Sequence, residues 1–477
     1  MTRTLVVGGG FAGLAAATAL ADRGHQVTLA ERRAFLGGKA CSYFDPEAGY
    51  ALDNGQHAFL WGYRNTRKLL RRWGPEDLLG FPPTLDLSFR LGEVEAPFRC
   101  VKMPAPFHLL WPLATFRALP WQDRLAMVRP AWSLLSMSQG DRLKLEGVRF
   151  ADWLKFHGQS ERSLQVFWEV LSLAAINGSA ERISAYPAMQ VLSQGFLGAS
   201  QASRFGYAKR ALSSLYARFP NYLSDRGGAL LLGHGVRALR AGVDAPWLAT
   251  FHDGQELGFD AAILAVPPGH LSKLLPSELQ DRPWFRDAAI LRQAPIVSVQ
   301  LTLDRPIPLR PVTALLDSPL HWIFHAGALR EDAPSGALSL VVSGAHAWAG
   351  RSREAIAAIA LAELKRFFPA AQDARILSCR VFKELEATLD CLPGSEALRP
   401  SAITGVSGLY LAGAWTATSL PSTVEGAVMS GLKAVEVLEA ANGRSCALVE
   451  TLDRSDPLIH LFRGINLLSK AIGSIAR

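Results

Sequence analysis

The chain has 477 residues, 49% of them hydrophobic, with 50 basic and 42 acidic residues and a net charge of +8. This length exceeds what one hydrophobic core usually organises, and the apolar content argues against disorder, so we expect two domains or one interleaved pair. The five cysteines are far apart and never form CxxC, which argues against a disulfide framework or a thiolate metal site and favours a reducing compartment.

The first predicted unit is a strand, a glycine-rich turn and a helix. Residues 4–7 are β-branched or apolar, as in a buried parallel strand, and residues 11–23 are rich in alanine and leucine, as in a helix. The apolar stretch 5–21 is too short to span a bilayer, and its consecutive glycines argue against a signal sequence. We therefore expect this segment inside the fold.

The turn has the pattern GxGxxG, formed by Gly8, Gly10 and Gly13. The first glycine permits the bend, the second leaves room for a pyrophosphate, and the third lets the helix pack closely on the strand. The helix N-terminus, with Phe11 and Ala12, then faces the phosphates. A second strand is predicted at residues 27–30, and an acid at its carboxyl end, Glu31, can bond the ribose hydroxyls. These features predict a dinucleotide site.

The next stretch, RRAFLGGKA at residues 32–40, resembles the extension found in flavoenzymes of the amine oxidase and phytoene desaturase superfamily. In that superfamily a GG pair followed by a basic residue continues the contact with the dinucleotide. The resemblance implies FAD, with Arg32, Gly38 and Lys39 among its ligands. The basic residue is often arginine in the family, and lysine supplies a point charge without the bidentate fork.

Residues 103–121, MPAPFHLLWPLATFRALPW, combine aromatic residues and prolines with few charges. They predict a packed cap, a lipid-facing entrance or part of the core, and the sequence does not choose among these. Further along, residues 259–268 predict a sheet strand that ends at a proline pair. Val236, in the segment before it, could flank the adenine.

The last flavin-type unit is a strand at 408–413, followed by a loop and a helix that extends to residue 431. In the superfamily such a unit closes over the ribityl chain and isoalloxazine ring, which implies contacts from Gly413, Ala414, Thr423 and Val424. The family usually has aspartate where this chain has Ala414, so we expect one polar contact with FAD to be missing. Small residues predict close approach of the helix to the ring: Gly426, Ala427, Ser430 and Gly431.

Together these units predict an α/β fold, a Rossmann-like FAD-binding domain with an interleaved α+β substrate domain. We assign residues 1–80, 225–275 and 400–442 to the FAD-binding domain and residues 81–224 and 276–399 to the substrate-binding domain. Residues 443–477 form a tail with a predicted basic amphipathic helix, which either lies on an anionic bilayer or docks on the protein. Its apolar face is Leu458, Leu461, Phe462, Ile465, Leu468, Ile472 and Ile475, opposite Arg463, Lys470 and Arg477.

Two segments indicate one branch of this superfamily. LDNGQHAFLWGY at residues 52–63 and WTATSLPSTVEGA at residues 415–427 resemble the squalene-associated branch of the superfamily, the hydroxysqualene dehydroxylases. This resemblance implies reductive loss of the hydroxyl of hydroxysqualene in bacterial squalene and hopanoid biosynthesis. Hydride would pass from N5 of reduced flavin to an allylic cation. It also implies a cytoplasmic enzyme on the inner face of the membrane, a long isoprenoid substrate and an unidentified electron donor.

The DNGQH stretch is expected beside the flavin ring, with Gly55, Gln56 and His57 in contact with it. His57 is our first candidate for the proton donor, because histidine titrates near neutral pH, although a purely structural histidine fits as well. Glu425 is the second candidate, with fixing the helix start as its alternative role. We expect Asp53 to anchor its own turn.

Two other functions stay open on the sequence. One is an oxidative enzyme of the same fold, such as a carotenoid desaturase or an amine oxidase, and the other is a non-catalytic flavin- or lipid-binding protein. The positive charge agrees with an anionic membrane surface. No helix-turn-helix, zinc or RNA-binding pattern accompanies it, so nucleic-acid binding is not expected.

Overall fold

The computed structural model describes residues 2–243, 245–450 and 459. Within them the strands, labelled β1 to β20 in chain order, span Arg3–Val7, Gln26–Glu31, Ser42–Asp45, Tyr50–Asp53, Phe59–Leu60, Leu79–Gly80, Asp86–Leu91, Val94–Arg99, Phe205–Ala208, Ala229–Leu232, Val236–Ala241, Trp247–Phe251, Glu256–Phe259, Ala261–Leu264, Gln293–Leu303, Val312–Leu316, Trp322–Phe324, Ala337–Val342, Ile376–Leu389 and Leu409–Leu411.

The α-helices of the described residues, labelled α1 to α16, span Phe11–Ala21, Arg64–Trp73, Leu110–Thr115, Trp121–Ala126, Val128–Ser136, Gln139–Leu143, Phe150–Phe156, Glu161–Ser163, Glu169–Ile176, Ala185–Val191, Phe219–Ser224, Leu271–Leu274, Pro283–Ile290, Ala326–Leu329, Arg353–Phe367 and Val424–Ala441. Two further segments, Leu164–Trp168 and Leu192–Leu197, are π-helical. Within the described part of the chain, no helix is both long and apolar enough to cross a membrane.

A five-stranded parallel sheet with the order β10-β2-β1-β14-β20 forms the first half of the molecule. Every residue of α1 is buried, which confirms that the apolar N-terminal stretch lies inside the fold. Helices α1 and α16 pack against each other so closely that a Cβ on Gly431 would lie 2.1 Å from the carbonyl oxygen of Ala12. The first and last units of the chain are therefore neighbours.

A seven-stranded sheet, ordered β19-β15-β18-β17-β16-β7-β8, forms the second half. Its strands pair antiparallel except β16 and β7, and its longest strands, β15 and β19, lie side by side. Helices α3 to α10 and both π-helical segments occur between β8 and β9 in the chain. The mixed α/β architecture confirms the predicted fold class.

The strands of the parallel sheet all come from the three ranges assigned to the FAD-binding domain, although the domain bounds themselves stay a prediction. The apolar core of the parallel-sheet half also includes side chains that precede residue 225. Leu212, Phe219 and Leu223 share an apolar core with Leu14 and Val27 of the β1-α1-β2 unit. The helix predicted in the tail lies outside the described residues, apart from Ile459, which is helical and buried.

Candidate active site

One cavity of about 1440 Å³ connects the parallel sheet with the seven-stranded sheet. Its wall includes the turns that follow the carboxyl ends of β1, β2, β14 and β20. Ligands of open α/β sheets bind at this edge. The volume exceeds the roughly 300–1,000 Å³ of a pocket for one drug-sized ligand. The cavity therefore has room for a dinucleotide and a second long ligand.

The predicted cofactor residues come from four separate parts of the chain, and the fold brings all but one of them to this cavity. Those that line it are Gly8, Gly10, Phe11, Ala12, Glu31, Arg32, Gly38, Lys39, Gly55, Gln56, His57, Val236, Gly413, Ala414, Thr423 and Val424. The exception is Gly13, which packs on the strand side of the turn. The N-terminal glycines and the segment after β20 thus face one space.

The three glycines of the first turn have different neighbours. Gly8 has a φ of +108°, and a Cβ there would lie 2.5 Å from the carbonyl oxygen of Ala265. A Cβ on Gly13 would lie 1.9 Å from the carbonyl oxygen of Gly8, so this glycine lets α1 pack on β1. At Gly10 a Cβ would meet only the Cα of Gly38, at 3.7 Å. The protein itself tolerates a side chain at Gly10, and the space it keeps open is cavity, as a pyrophosphate requires.

Glu31 shapes the same turn while facing the cavity. Its Oε2 accepts a hydrogen bond from the backbone N–H of Gly9 at 2.7 Å, and its Oε1 accepts one from that of Arg33 at 2.8 Å. An ionised carboxylate has about four acceptor positions. Glu31 can therefore hold the turn and still accept hydrogen bonds from a ribose.

The DNGQH stretch is tied to the GGK loop through Asn54. Its side-chain nitrogen donates to the carbonyl oxygen of Lys39 at 2.8 Å, and its oxygen accepts from the backbone N–H of Cys41 at 3.3 Å. Asp53 does not anchor its own turn, contrary to the expectation, because its partners are the backbone N–H of Leu212, the hydroxyl of Ser42 and the guanidinium of Arg330. Sequence reasoning missed the role of Asn54, although it lies within the motif.

Lys39 points across the cavity toward the seven-stranded sheet. Its ammonium donates to Oε1 of Gln293 on β15 at 3.4 Å. Burial lowers the pKa of Lys39, and the carboxylates of Glu384 and Glu386 on β19 act in the opposite direction. Those two acids and Thr388 all line the cavity. Their spacing of two residues is the period of a strand face, which is the sequence pattern that could have revealed them.

His57 is half-buried, and its Nδ1 donates to the carbonyl oxygen of Gly55 at 3.1 Å. Burial lowers the pKa of the imidazole below its usual 6.5, while the carbonyls of Gly55 and Lys39 and the carboxylate of Asp53 act in the opposite direction. The ring is therefore mostly neutral at pH 7 and more strongly acidic when protonated. Its place in the cavity keeps it a candidate proton donor.

Glu425 does not line the cavity, which corrects its place among the catalytic candidates. The carboxylate is fully buried, and its two oxygens accept four hydrogen bonds of 2.7 to 3.0 Å from the backbone and side chains of Asn65 and Thr66. These residues begin α2, whose N-cap Tyr63 supplies no side-chain hydrogen bond. Glu425 caps α2 and has no position from which to reach a substrate.

The segment between β20 and α16 is held from behind by Arg399. Its buried guanidinium donates to the carbonyl oxygens of Ala414 at 3.1 Å and Leu420 at 2.8 Å. Ser430, one of the small residues expected to let α16 approach the ring, does not line the cavity: its hydroxyl accepts from the N–H of Gly413 at 2.7 Å. Gly431 faces α1, so the small residues of α16 serve helix packing more than the flavin.

The rest of the cavity is a chamber with apolar walls. Aliphatic side chains of α3, α5 and α9 line it together with a group of aromatic rings: Phe89, Phe98, Phe167, Trp168, Phe205, Trp322 and Phe324. Both π-helical segments contribute to the wall, and such segments occur often at functional sites. This chamber has the character of a site for a long hydrocarbon chain.

The 103–121 segment is both chamber wall and exposed surface. Leu109 and Leu113 line the cavity. Trp111, between them in the chain, is 62% exposed, as is Trp121. The large exposed apolar side chains of this region, which we name the α3–α5 surface, are Met103, Leu110, Trp111, Trp121, Leu125, Val128 and Trp132.

Comparison with known proteins agrees with this geometry. The sequence profile described as flavin containing amine oxidoreductase matches residues 11–438. Hydroxysqualene dehydroxylase of Rhodopseudomonas palustris is 29% identical over 449 residues, which cover 92% of this chain and 99% of that protein. The probable zeta-carotene desaturase of Synechococcus elongatus is 28% identical over 483 residues, covering 91% of this chain and 98% of that protein.

Among solved structures, an oxidoreductase from Methanosarcina mazei superimposes with a TM-score of 0.71 at 16% identity, covering 91% of this chain and 100% of that one. At this identity the likeness concerns the fold alone. The family match, in contrast, spans most of the chain, from α1 into α16, and includes most of the residues that line the dinucleotide cavity. The chain therefore belongs to the flavin-containing amine oxidoreductase family and is an FAD-dependent oxidoreductase.

Proposed function

We propose that this enzyme removes the hydroxyl group of hydroxysqualene by reduction and so forms squalene. The observation that carries the proposal is a large aromatic and aliphatic chamber that opens directly onto the dinucleotide cavity. The similarity to the hydroxysqualene dehydroxylase of Rhodopseudomonas palustris over nearly the full length of both proteins supports it. So do the DNGQH and WTATSLPSTVEGA stretches.

The reaction requires three contributions from the protein. The allylic C–O bond breaks as the hydroxyl oxygen gains a proton and leaves as water, and the same carbon gains a hydride. Reduced FAD, when bound, supplies that hydride and is the reductant. The protein must donate the proton, stabilise positive charge on the allylic carbons and exclude bulk water.

The chamber suits the last two tasks. Apolar walls exclude water, and aromatic rings in the wall such as Phe167, Trp168 and Trp322 can stabilise a cation through their ring quadrupoles. Protonated His57 is our candidate proton donor, since it lines the cavity and its Nδ1 is already held by a backbone carbonyl. Lys39, in the GGK loop, would neutralise negative charge of the cofactor with its ammonium group.

A second candidate function is the desaturation of a carotene, which removes hydride from the substrate. It is favoured by the similarity to the probable zeta-carotene desaturase at nearly equal identity. Such a substrate is a hydrocarbon that needs no proton donor at the reacting carbon. The chamber walls suit either long isoprenoid, so only the reaction separates the two functions.

We also infer that the α3–α5 surface lies on a membrane, from which the substrate enters the chamber. Exposed apolar groups of this size, gathered on successive helices, indicate an interaction surface. Two of these helices, α3 and α5, also line the chamber from within. Tryptophan is well suited to the boundary between headgroups and acyl chains. The net charge of +8 favours anionic lipid.

The experiment that tests the reaction compares two substrates. Purified enzyme is incubated anaerobically with chemically reduced flavin and hydroxysqualene, and with oxidised flavin and zeta-carotene, and products are identified by mass spectrometry. We expect squalene from the first mixture and unchanged zeta-carotene in the second. Desaturated carotene together with unchanged hydroxysqualene would replace the proposal with the second candidate.

A further inference from the structure

Several polar side chains lie in the chamber wall, among them Gln190 and Gln194, and Gln190 is the most deeply buried of them. Gln190 is fully buried on α10 and lines the cavity. Its amide nitrogen donates to the carbonyl oxygen of Ser419 at 3.2 Å and to the hydroxyl oxygen of Tyr186 at 3.3 Å. Its Oε1 has no hydrogen-bond partner among the residues that the structure describes.

The orientation of this amide is fixed by chemistry. A backbone carbonyl can only accept a hydrogen bond, so the nitrogen of Gln190, and not its oxygen, must face Ser419. The oxygen is then the end left without a partner. Leaving a buried acceptor unsatisfied is unfavourable, and a ligand that donates a hydrogen bond to it removes that cost.

The position of Gln190 relates the chamber to the flavin side of the cavity. Ser419 belongs to the segment after β20, and the residues that follow it, Leu420 to Thr423, line the same cavity. Gln190 also lies two residues before the π-helical segment Leu192–Leu197, another part of the chamber wall. A group that bonds to Oε1 is thereby held where the chamber meets the segment expected to contact FAD.

We propose that Oε1 of Gln190 accepts a hydrogen bond from the hydroxyl group of an isoprenoid alcohol and selects such alcohols over hydrocarbons of the same length. The inference rests on the proposed function and names the residue that recognises its substrate. Because the hydroxyl gives its hydrogen to Gln190, the lone pairs of its oxygen stay available for the proton that makes it leave as water. A carotene cannot form this bond.

The test measures binding to the oxidised holoenzyme, which does not turn over. Hydroxysqualene and squalene are titrated in detergent while the flavin absorbance is followed, for the wild type and for Gln190→Met, which keeps the length of the side chain and removes the amide. We expect the wild type to bind hydroxysqualene about tenfold more tightly than squalene, the size expected for one buried hydrogen bond to a neutral group. Gln190→Met should bind both equally, with the Kd for squalene unchanged.

The control is Gln372→Met, at an exposed glutamine outside the cavity, which should keep the wild-type ratio. If Gln190→Met loses FAD, Gln190→Asn, which withdraws the oxygen by one methylene, is measured with the same two outcomes. A wild-type preference in the Gln190 variant would overturn the inference even if squalene is produced. An enzyme that makes no squalene but prefers the alcohol through Gln190 would overturn the proposed reaction and leave the alcohol site standing.

Discussion

At the residue scale, Gly10 and Gly13 are glycines of one turn that are needed for different reasons. Gly13 packs directly on the backbone, because a Cβ there would clash with the carbonyl oxygen of Gly8. Gly10 instead faces the cavity, where a Cβ would meet no protein atom closely. The fold requires glycine at position 13, and the ligand requires it at position 10. Substitution by alanine therefore separates the two requirements.

We predict that Gly10→Ala folds normally but binds FAD at least about tenfold more weakly, because its methyl group occupies the space of the pyrophosphate. Isothermal titration of the apoprotein with FAD gives the affinity, and thermal unfolding without FAD reports the fold. Gly13→Ala is the matched control and should lower the yield of folded protein, since its Cβ would lie 1.9 Å from the Gly8 oxygen. Wild-type FAD affinity in Gly10→Ala would contradict this account of the cavity.

The pH dependence of the reaction tests His57. Burial lowers the pKa of the ring below 6.5, so the protonated, proton-donating form is lost as the pH rises through that lowered pKa. We predict that kcat for squalene formation rises as the pH falls from about 7.5 toward about 5.5. In His57→Gln, kcat should be at least about a hundredfold lower and should no longer follow this titration. A pH profile shared by both proteins would assign the proton to another group.

At the scale of elements, the contact between α16 and α2 rests on a single buried carboxylate. Glu425 accepts two backbone N–H groups at the start of α2, a helix whose own N-cap leaves them unsatisfied. A helix terminus buried without such a partner is costly. The residue therefore connects two helices of the FAD-binding half.

We predict that Glu425→Ala lowers the free energy of unfolding by about 3 kcal/mol, because it leaves buried donors of Asn65 and Thr66 without an acceptor. Urea unfolding of the holoprotein measures the loss. Glu425→Gln retains one acceptor oxygen and should lose less stability while keeping most of the activity. If Glu425→Gln were as stable as the wild type but inactive, a catalytic carboxylate would be the correct description after all.

The elements that the sequence predicts well are those set by neighbours along the chain. The β1-α1-β2 unit follows from short β-branched or apolar runs and an alanine- and leucine-rich run separated by glycines, and Glu31 follows from its place at the end of β2. The cap by Glu425 could not be foreseen, because its partners on α2 are 360 residues earlier. In the same way, Glu384 acts on the pKa of Lys39 because β19 pairs with β15, whose Gln293 binds the lysine. Such long-range pairings leave no local trace in one sequence.

At the scale of the whole molecule, the chamber and the α3–α5 surface share helices α3 and α5, so we expect access of the substrate and contact with lipid to be coupled. The sequence predicted that the first and last units of the chain would face one cleft, and the adjacency of β1, β14 and β20 explains why they do. It left residues 103–121 open among a packed cap, a lipid-facing entrance and part of the core, and in the structure they form both cavity wall and exposed surface. They serve as both, because they combine inward-facing leucines with outward-facing tryptophans.

We predict that the double variant Trp111→Lys/Trp121→Lys binds vesicles at least about tenfold more weakly, because two apolar anchors are lost from the interface. Cosedimentation with phosphatidylglycerol-containing and pure phosphatidylcholine vesicles measures binding. The control is Phe44→Lys, which removes an exposed apolar residue outside the α3–α5 surface and should bind as the wild type does. Unchanged binding of the double variant would place the lipid contact elsewhere.

We propose that one FAD, bound between the Gly8 turn and the segment after β20, reduces an isoprenoid alcohol in the adjoining chamber. An anaerobic single turnover tests it most directly. The enzyme-bound flavin is reduced, excess reductant is removed, hydroxysqualene is added, and flavin absorbance and squalene are followed together. We predict that the flavin reoxidises with formation of one squalene per flavin. A flavin that stays reduced in the presence of hydroxysqualene, with no squalene formed, would contradict the account.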